Sequence, residues 1–241
     1  MDELKGKTAL ITGASSGIGE AAARLLCNAG AEIFLTARRE EKLLALQQEL
    51  TNAGGKAAYI ACDIAKETSP EKIISGCIEK FGKLDILINN AGRAVNKPVS
   101  ETDAAIWDEM MALNARAPFL MCKHALPCLE QSSAATVINI CSNVGINTYA
   151  GQSAYGASKH ALRGFTQAFS KEAFASGIRV HLLSPGGVDT DLATDVRPDL
   201  DRTILSKPEE LAEIILFLLT HRNNSMIDEL IIRRYSKKPW E

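Results

Sequence analysis

Tyr155 and Lys159 stand four residues apart in YGASKHALRGFTQAFSKEA, a stretch patterned as a helix. Four residues is about one helical turn, so the phenol and the ammonium share a face. A free tyrosine, with a pKa of about 10, is a poor base near neutrality. A cation about 4 Å away favours the phenolate by about 4 kcal/mol at an effective dielectric of about 20. That is a downward shift of roughly three pKa units at most, which makes the pair a candidate general acid/base near pH 7. Upstream, TVINICSNVG ends an apolar run on Ser142. A serine there can donate to a substrate carbonyl oxygen and stabilise the charge that develops on it.

These groups need a scaffold, and the chain alternates short apolar runs with longer helical patterns. Strands are expected at 8–12, 32–37, 56–62, 86–89, 136–141, 179–184 and 229–233, and helices near 18–29, 39–53, 70–81, 102–130, 154–176 and 207–221. Such alternation implies βαβ units, and continuously apolar strands suit a sheet covered on both faces. The expected fold class is α/β: a doubly wound, mostly parallel, seven-stranded sheet in a single domain over 1–241, with no linker-like break or repeat. Ser142 then lies at the C-terminal edge of a strand, where open α/β sheets bind ligands. Gly164 is read as allowing close helix approach.

A glycine-rich turn, TGASSGIG, joins the first strand to the first helix. Gly13, Gly17 and Gly19 follow G-x-x-x-G-x-G spacing rather than the commoner G-x-G-x-x-G. Small residues permit a tight turn, and the helix N-terminus offers free amides to a phosphate. In a dinucleotide fold the residue ending the second strand meets the adenosine ribose. An acid there would accept from a free 2′-hydroxyl, but this chain has Ala37 followed by Arg38 and Arg39. Guanidinium groups suit a 2′-phosphate, so NADP(H) is favoured over NAD(H).

TGASSGIG, NNAG at 89–92, Asn114, Ser142, YxxxK at 155–159 and PGGVDT at 185–190 occur in the order seen in short-chain dehydrogenases/reductases of the classical type. The chain resembles that family along essentially its whole length. The resemblance implies a Rossmann fold and hydride transfer between NADP(H) and a carbonyl or secondary alcohol. It assigns Tyr155 as proton donor or acceptor, and Lys159 as the group that lowers the tyrosine pKa and binds the nicotinamide ribose. Ser142 would orient the substrate oxygen, and Asn114 would hold a relay water. The cofactor would be lined by Gly13, Ser15, Ser16, Gly17, Ile18 and Gly19, and by Asp63 and Ile64 on the adenine side. Asn90, Ala91 and Gly92 would follow, with Asn90 and Ala91 making backbone contacts. Pro185, Gly186, Val188 and Thr190 would meet the nicotinamide side. Family members often carry two serines where this chain has Cys141 then Ser142, and Cys141 should point the other way along the strand. The polar segment 191–206 reads as a substrate loop or lid.

The remaining expectations concern context. A formal charge of −2 gives no reason to expect nucleic acid or an anionic membrane as partner. No apolar run reaches the roughly 18 residues of a membrane span, and no signal peptide is evident. Six cysteines without a CxxC pair read as free thiols in a reducing cytoplasm, and scattered histidines give no metal site. The apolar excess on helices 102–130 and 154–176 suggests a homodimer or homotetramer. The chain's end, NNSMIDELIIRRYSKKPWE, departs from the TGxxxxVDGG-like segment of many acyl-carrier reductases. That favours a general carbonyl reductase over a 3-oxoacyl reductase. A nucleotide-binding sensor or scaffold without turnover is the reading from a different class. The basic tail at Arg233, Arg234, Lys237 and Lys238 suits an acidic substrate, a neighbouring subunit or plain solvation.

Overall fold

The computed structural model describes residues 3–239, so the first two and last two positions of the expected 1–241 domain lie outside the described residues. Seven strands form one sheet: β1 (Thr8–Thr12), β2 (Glu32–Ala37), β3 (Ala57–Ala61), β4 (Ile86–Asn89), β5 (Thr136–Ile140), β6 (Arg179–Pro185) and β7 (Glu229–Ile232). Their order is β3-β2-β1-β4-β5-β6-β7, and every neighbouring pair is parallel. The chain winds outward from β1 to β3, then returns to β4 on the other side of β1. That reversal opens a crevice at the C-terminal ends of β1 and β4, where such sheets take their ligands.

The long α-helices are α1 (Gly17–Asn28), α2 (Glu40–Asn52), α3 (Ser69–Phe81), α4 (Ala104–Met111), α5 (Ala117–Leu129), α6 (Ser153–Ala173) and α8 (Pro208–Thr220), with a short α7 (Asp191–Val196). Side chains alternate across each strand. Ala9 and Ile11 of β1 face the α1, α2 and α8 side, with Leu26, Leu43 and Ile215. Leu10 faces the α3, α5 and α6 side, with Ile73, Met121 and Phe169. β4 and β5 repeat the pattern: Ile88 and Ile138 point to the first side, Leu87 and Val137 to the second. Each such buried aliphatic side chain stabilises by about 1.5–3 kcal/mol.

Buried polar contacts then fix α6 on the sheet. Asn89 Nδ2 donates to Asn139 Oδ1 at 2.8 Å, and Asn139 Nδ2 donates to Thr166 Oγ1 at 2.8 Å. Arg163 grips Glu229 with two guanidinium nitrogens, at 3.0 and 2.8 Å, tying α6 to the start of β7. The rotation of α6 is thereby set from both sides, and with it the direction of Tyr155 and Lys159.

Three expectations need correction. The helix expected over 102–130 is α4 and α5 joined by a π-helical turn at Ala112–Arg116. Pro118 explains the widening: it has no N–H for the Asn114 carbonyl, and its ring would press on that carbonyl in a regular helix. Segment 191–206, expected as a polar, poorly periodic substrate loop or lid, is partly helical, with α7 and a 3₁₀ turn at Arg202–Ile204. Thr190 Oγ1 caps α7 by accepting from the Ala193 N–H, a local signal that hydrophobic periodicity does not register. Gly164 makes no close helix approach within the protomer, since a Cβ there would meet nothing within 4 Å.

Candidate active site

A cavity of about 570 Å³ opens over the C-terminal edge of the sheet. It is walled by the turns after β1, β4, β5 and β6, by the N-terminal end of α6, and by α7. Of the residues expected from the sequence to act in catalysis or cofactor binding, all but Gly19 and Asn114 line it.

The glycine turn is built against the β4 turn. Gly13 has φ +66°, and a Cβ on it would lie 2.8 Å from the Ala91 Cα. Thr12 Oγ1 accepts from the Asn90 and Ala91 N–H groups at 2.9 and 3.0 Å, and Asn90 Nδ2 returns bonds to the Thr12 and Gly13 carbonyls. Asn90 and Ala91 therefore have their amides engaged and offer a ligand their carbonyls. Gly19 sits behind the turn, where a Cβ would fall 2.5 Å from Asn90 Nδ2 and 2.6 Å from the Gly13 carbonyl oxygen. Gly17 meets the β6 turn in the same way, with Thr190 Cγ2 only 2.8 Å from a Cβ there.

Arg39 reaches from the start of α2 to this turn, donating to Ser16 Oγ at 2.6 Å and Ser15 Oγ at 3.1 Å. Arg38 is exposed and has no hydrogen bond or ion pair among the described residues. Thr36 lines the same end, and its buried Oγ1 has no partner among the described residues. Asp63 accepts from the Ala65 N–H at 3.1 Å, so one carboxylate oxygen shapes its own turn while the residue still lines the cavity. These features fit a dinucleotide: a tight glycine turn at a helix N-terminus, guanidinium groups beside it, and a polar atom left for a ligand.

At the other end, Ser142, Tyr155 and Lys159 come together. Ser142 follows β5 and accepts from the Val144 N–H at 3.2 Å, capping a short 3₁₀ turn. Cys141 turns beneath α6, its thiol donating to the Lys159 carbonyl at 3.4 Å, and burial pushes its pKa up. Tyr155 is buried among Ala94, Val144 and Val196, so α7 helps to cover it. Lys159 is buried too, and its ammonium donates to the Ile140 carbonyl at 2.9 Å.

Burial dominates the electrostatics of Tyr155 and Lys159. Burial pushes the Tyr155 phenol up to about 12, against a downward pull from the Ser142 hydroxyl. Burial also lowers the pKa of Lys159 itself. Desolvation disfavours both charged forms.

Asn114, in the π-helical turn, is fully buried and acts at one remove. Its Oδ1 accepts from the Arg93 N–H at 3.0 Å, while Nδ2 donates to the Arg93 carbonyl at 2.8 Å and to Ser158 Oγ at 3.0 Å. A Cβ on Gly92 would lie 3.2 Å from its Oδ1 and 3.6 Å from Lys159 Nζ. The side chain thus braces the β4 turn against α6. Sequence reasoning did not single out Asn96, Tyr149, Gln152, Arg93 or Arg197, all of which line the cavity. Gln152 leaves a buried Oε1 without a partner.

Comparison with known proteins agrees with this geometry. The family model described as short chain dehydrogenase matches residues 7–201. A protein named as an uncharacterized oxidoreductase, from Staphylococcus aureus (strain MRSA252), is 34% identical over 233 residues, covering 97% of this chain and 99% of its own. Among solved structures, a metagenomic short-chain oxidoreductase in complex with NADP is 34% identical, with a TM-score of 0.84 over 96% of this chain and 99% of its own. An alcohol dehydrogenase from the archaeon Thermococcus sibiricus, complexed with 5-hydroxy-NADP, is 30% identical, with a TM-score of 0.90 over 97% of this chain and 98% of its own. By its sheet order, its glycine turn and these relatives, the chain belongs to the short-chain dehydrogenase family of oxidoreductases.

Proposed function

We propose that the protein is an NADP(H)-dependent reductase of carbonyl compounds, using Ser142, Tyr155 and Lys159 at the reacting carbon with Asn114 as support. The observation that carries this reading is their placement. Tyr155 and Ser142 share one wall of a cavity whose opposite end holds the glycine turn and two arginines. Gly13, Ser15, Ser16, Gly17 and Ile18 would hold the pyrophosphate, with Gly19 packed behind them. Arg38 and Arg39 would hold the 2′-phosphate, and Asp63 and Ile64 the adenine. Gly92, Pro185, Gly186, Val188 and Thr190 would line the nicotinamide half. When bound, the cofactor supplies the hydride.

The chain's own groups supply the proton and the field. A phenol with a pKa near 12 is protonated at neutral pH, so Tyr155 is suited to give its proton to a carbonyl oxygen. The Ser142 hydroxyl donates to the same oxygen as negative charge grows there. Lys159, held by the Ile140 carbonyl, is available to the ribose hydroxyls and to reprotonation of Tyr155. Asn114 keeps the Arg93 backbone and α6 in register, and Pro118 has no N–H to give the Asn114 carbonyl, which suits that carbonyl to hold a relay water. α7 shields Tyr155 from solvent.

The solved relatives in complex with NADP and 5-hydroxy-NADP support the phosphate assignment, as does Arg38, which has no partner among the described residues. A second copy of the chain is expected on the α4–α6 side, where Trp107 and Phe119 remain 43% and 44% exposed. Light scattering should give at least a dimer at micromolar concentration, and a monomer would contradict that assembly. Oxidation of NADPH against NADH, over a panel of ketones and aldehydes, tests the function itself. NADPH must be preferred, and some member of the panel must be reduced.

A further inference from the structure

The acidic and basic side chains around the cavity are unevenly placed. Among the described residues that line it, the one carboxylate is Asp63, at the β2–β3 end. The mouth beside Tyr155 carries Arg93, Arg197, Arg233, Arg234 and Lys237, with no acid among them. Some of that charge is matched elsewhere. Arg93 pairs with Glu109 and Arg197 with Asp199. Arg233 donates to the Tyr235 and Lys237 carbonyls. Among the described residues, Arg234 and Lys237 have no carboxylate partner.

The fold puts these two where a substrate would enter. Parallel pairing matches Pro185 with Ile232, so the chain leaves β7 at the ligand-binding edge of the sheet. The Gly186 N–H donates to the Ile232 carbonyl at 2.7 Å, and Arg234 Nη1 lies 3.8 Å from where a Cβ on Gly187 would be. The tail then turns, with the Lys237 N–H on the Arg234 carbonyl at 3.1 Å. It is moored on both sides of the mouth: Ser236 Oγ donates to the Ile204 carbonyl at 3.4 Å, and Lys237 Nζ donates to Tyr149 Oη at 2.9 Å. A half-buried guanidinium with no hydrogen bond among the described residues and an ammonium held by the Tyr149 hydroxyl, beside an acid-free wall, form a site of positive potential.

We propose that the carbonyl substrate carries an anionic group, a carboxylate or a phosphate, which Arg234 and Lys237 bind at the mouth of the cavity. This rests on the reductase reading and adds the substrate class to it. A planar guanidinium takes either group through two parallel bonds, and the nearby ammonium adds a point charge. Anchored there, one end of the substrate is fixed while its carbonyl faces Tyr155 and Ser142.

The test compares matched pairs with NADPH as reductant: 2-, 3- and 4-oxo acids against their methyl esters, and hydroxyacetone phosphate against hydroxyacetone. In the wild type the anionic members should win in kcat/KM by about ten- to hundredfold in whichever arm is physiological, carboxylate or phosphate. Arg234→Gln should bring that ratio near one, leaving the neutral members and the KM for NADPH unchanged; Lys237→Gln should do so in part. Equal turnover of anionic and neutral members by the wild type would overturn the proposal. So would an Arg234→Gln effect confined to the KM for NADPH, which would assign the charge to cofactor entry. If no carbonyl is reduced, the reductase reading fails, and calorimetry decides the anion site separately. Succinate and inorganic phosphate are titrated into the NADP⁺-saturated protein. Binding of either to the wild type, lost in Arg234→Gln, sustains the site; binding to neither or equally to both proteins rejects it.

Discussion

Replacing Gly19 by alanine tests how the glycine turn is held. The new methyl would fall 2.6 Å from the Gly13 carbonyl oxygen, which is backbone, and 2.5 Å from Asn90 Nδ2. Relief requires Asn90 to move, which breaks its bonds to the Thr12 and Gly13 carbonyls at 3.0 and 3.2 Å. Overpacking costs about 1–3 kcal/mol, and each lost bond about 0.5–1.5 kcal/mol. Alanine recovers about 1 kcal/mol through helix propensity. The net destabilisation is about 3 kcal/mol, or roughly 6–12 °C in Tm for a chain of this size. Thermal melts followed by circular dichroism read it directly. NADPH affinity, measured by fluorescence titration, should fall in the same variant because the Gly13 end of the turn shifts. A variant that melts within about 1 °C of the wild type and binds NADPH equally well would refute the packing argument.

Further predictions concern the charges and the π-helical turn. Arg38→Asp should lower the NADPH-to-NADH ratio of kcat/KM by about tenfold or more, the worth of a charged hydrogen bond; an unchanged ratio would remove Arg38 from the 2′-phosphate site. Because the Tyr155 pKa is raised to about 12, its contribution to stability is complete below about pH 10, the value of an unfolded tyrosine, and declines as pH rises toward 12. Urea titrations at about pH 9 and 11 should show a loss in the wild type that is smaller in Tyr155→Phe, with full titration worth roughly 2–3 kcal/mol. For the same reason carbonyl reduction should stay level across neutral pH, while alcohol oxidation should rise about tenfold per pH unit where the phenolate is the minor form. Asn114→Ala removes three hydrogen bonds and should cost about 2–4 kcal/mol, with kcat falling more than NADPH affinity.

The strands could be placed from the sequence because buried parallel strands are continuously apolar, as in TALIT and ILIN. Much of the cavity wall was also legible, since the glycine turn, Ser142 and the Tyr155–Lys159 pair occur at fixed places on strand ends and helix faces. The burial that raises the Tyr155 pKa was not legible, because spacing reveals a neighbouring charge but not the desolvation of the phenol. Nor was the break in the 102–130 helix, although Asn114 and Pro118 at i, i+4 held the signal: proline leaves the carbonyl four residues back without its donor. Tyr149, Gln152 and Arg234 come from loops and a tail whose course depends on tertiary contacts. Only the parallel register of β7 with β6 brings Arg234 to the site.

Tyr155→Phe offers the most direct test of the central claim, because it removes one proton while keeping the ring that packs against Ala94, Val144 and Val196. NADPH oxidation would be followed with the best carbonyl substrate, alongside NADPH binding by fluorescence. The account predicts a loss of turnover of about 10²–10⁴-fold, the worth of a positioned general acid, with cofactor affinity nearly unchanged. Turnover in Tyr155→Phe equal to the wild type would contradict it.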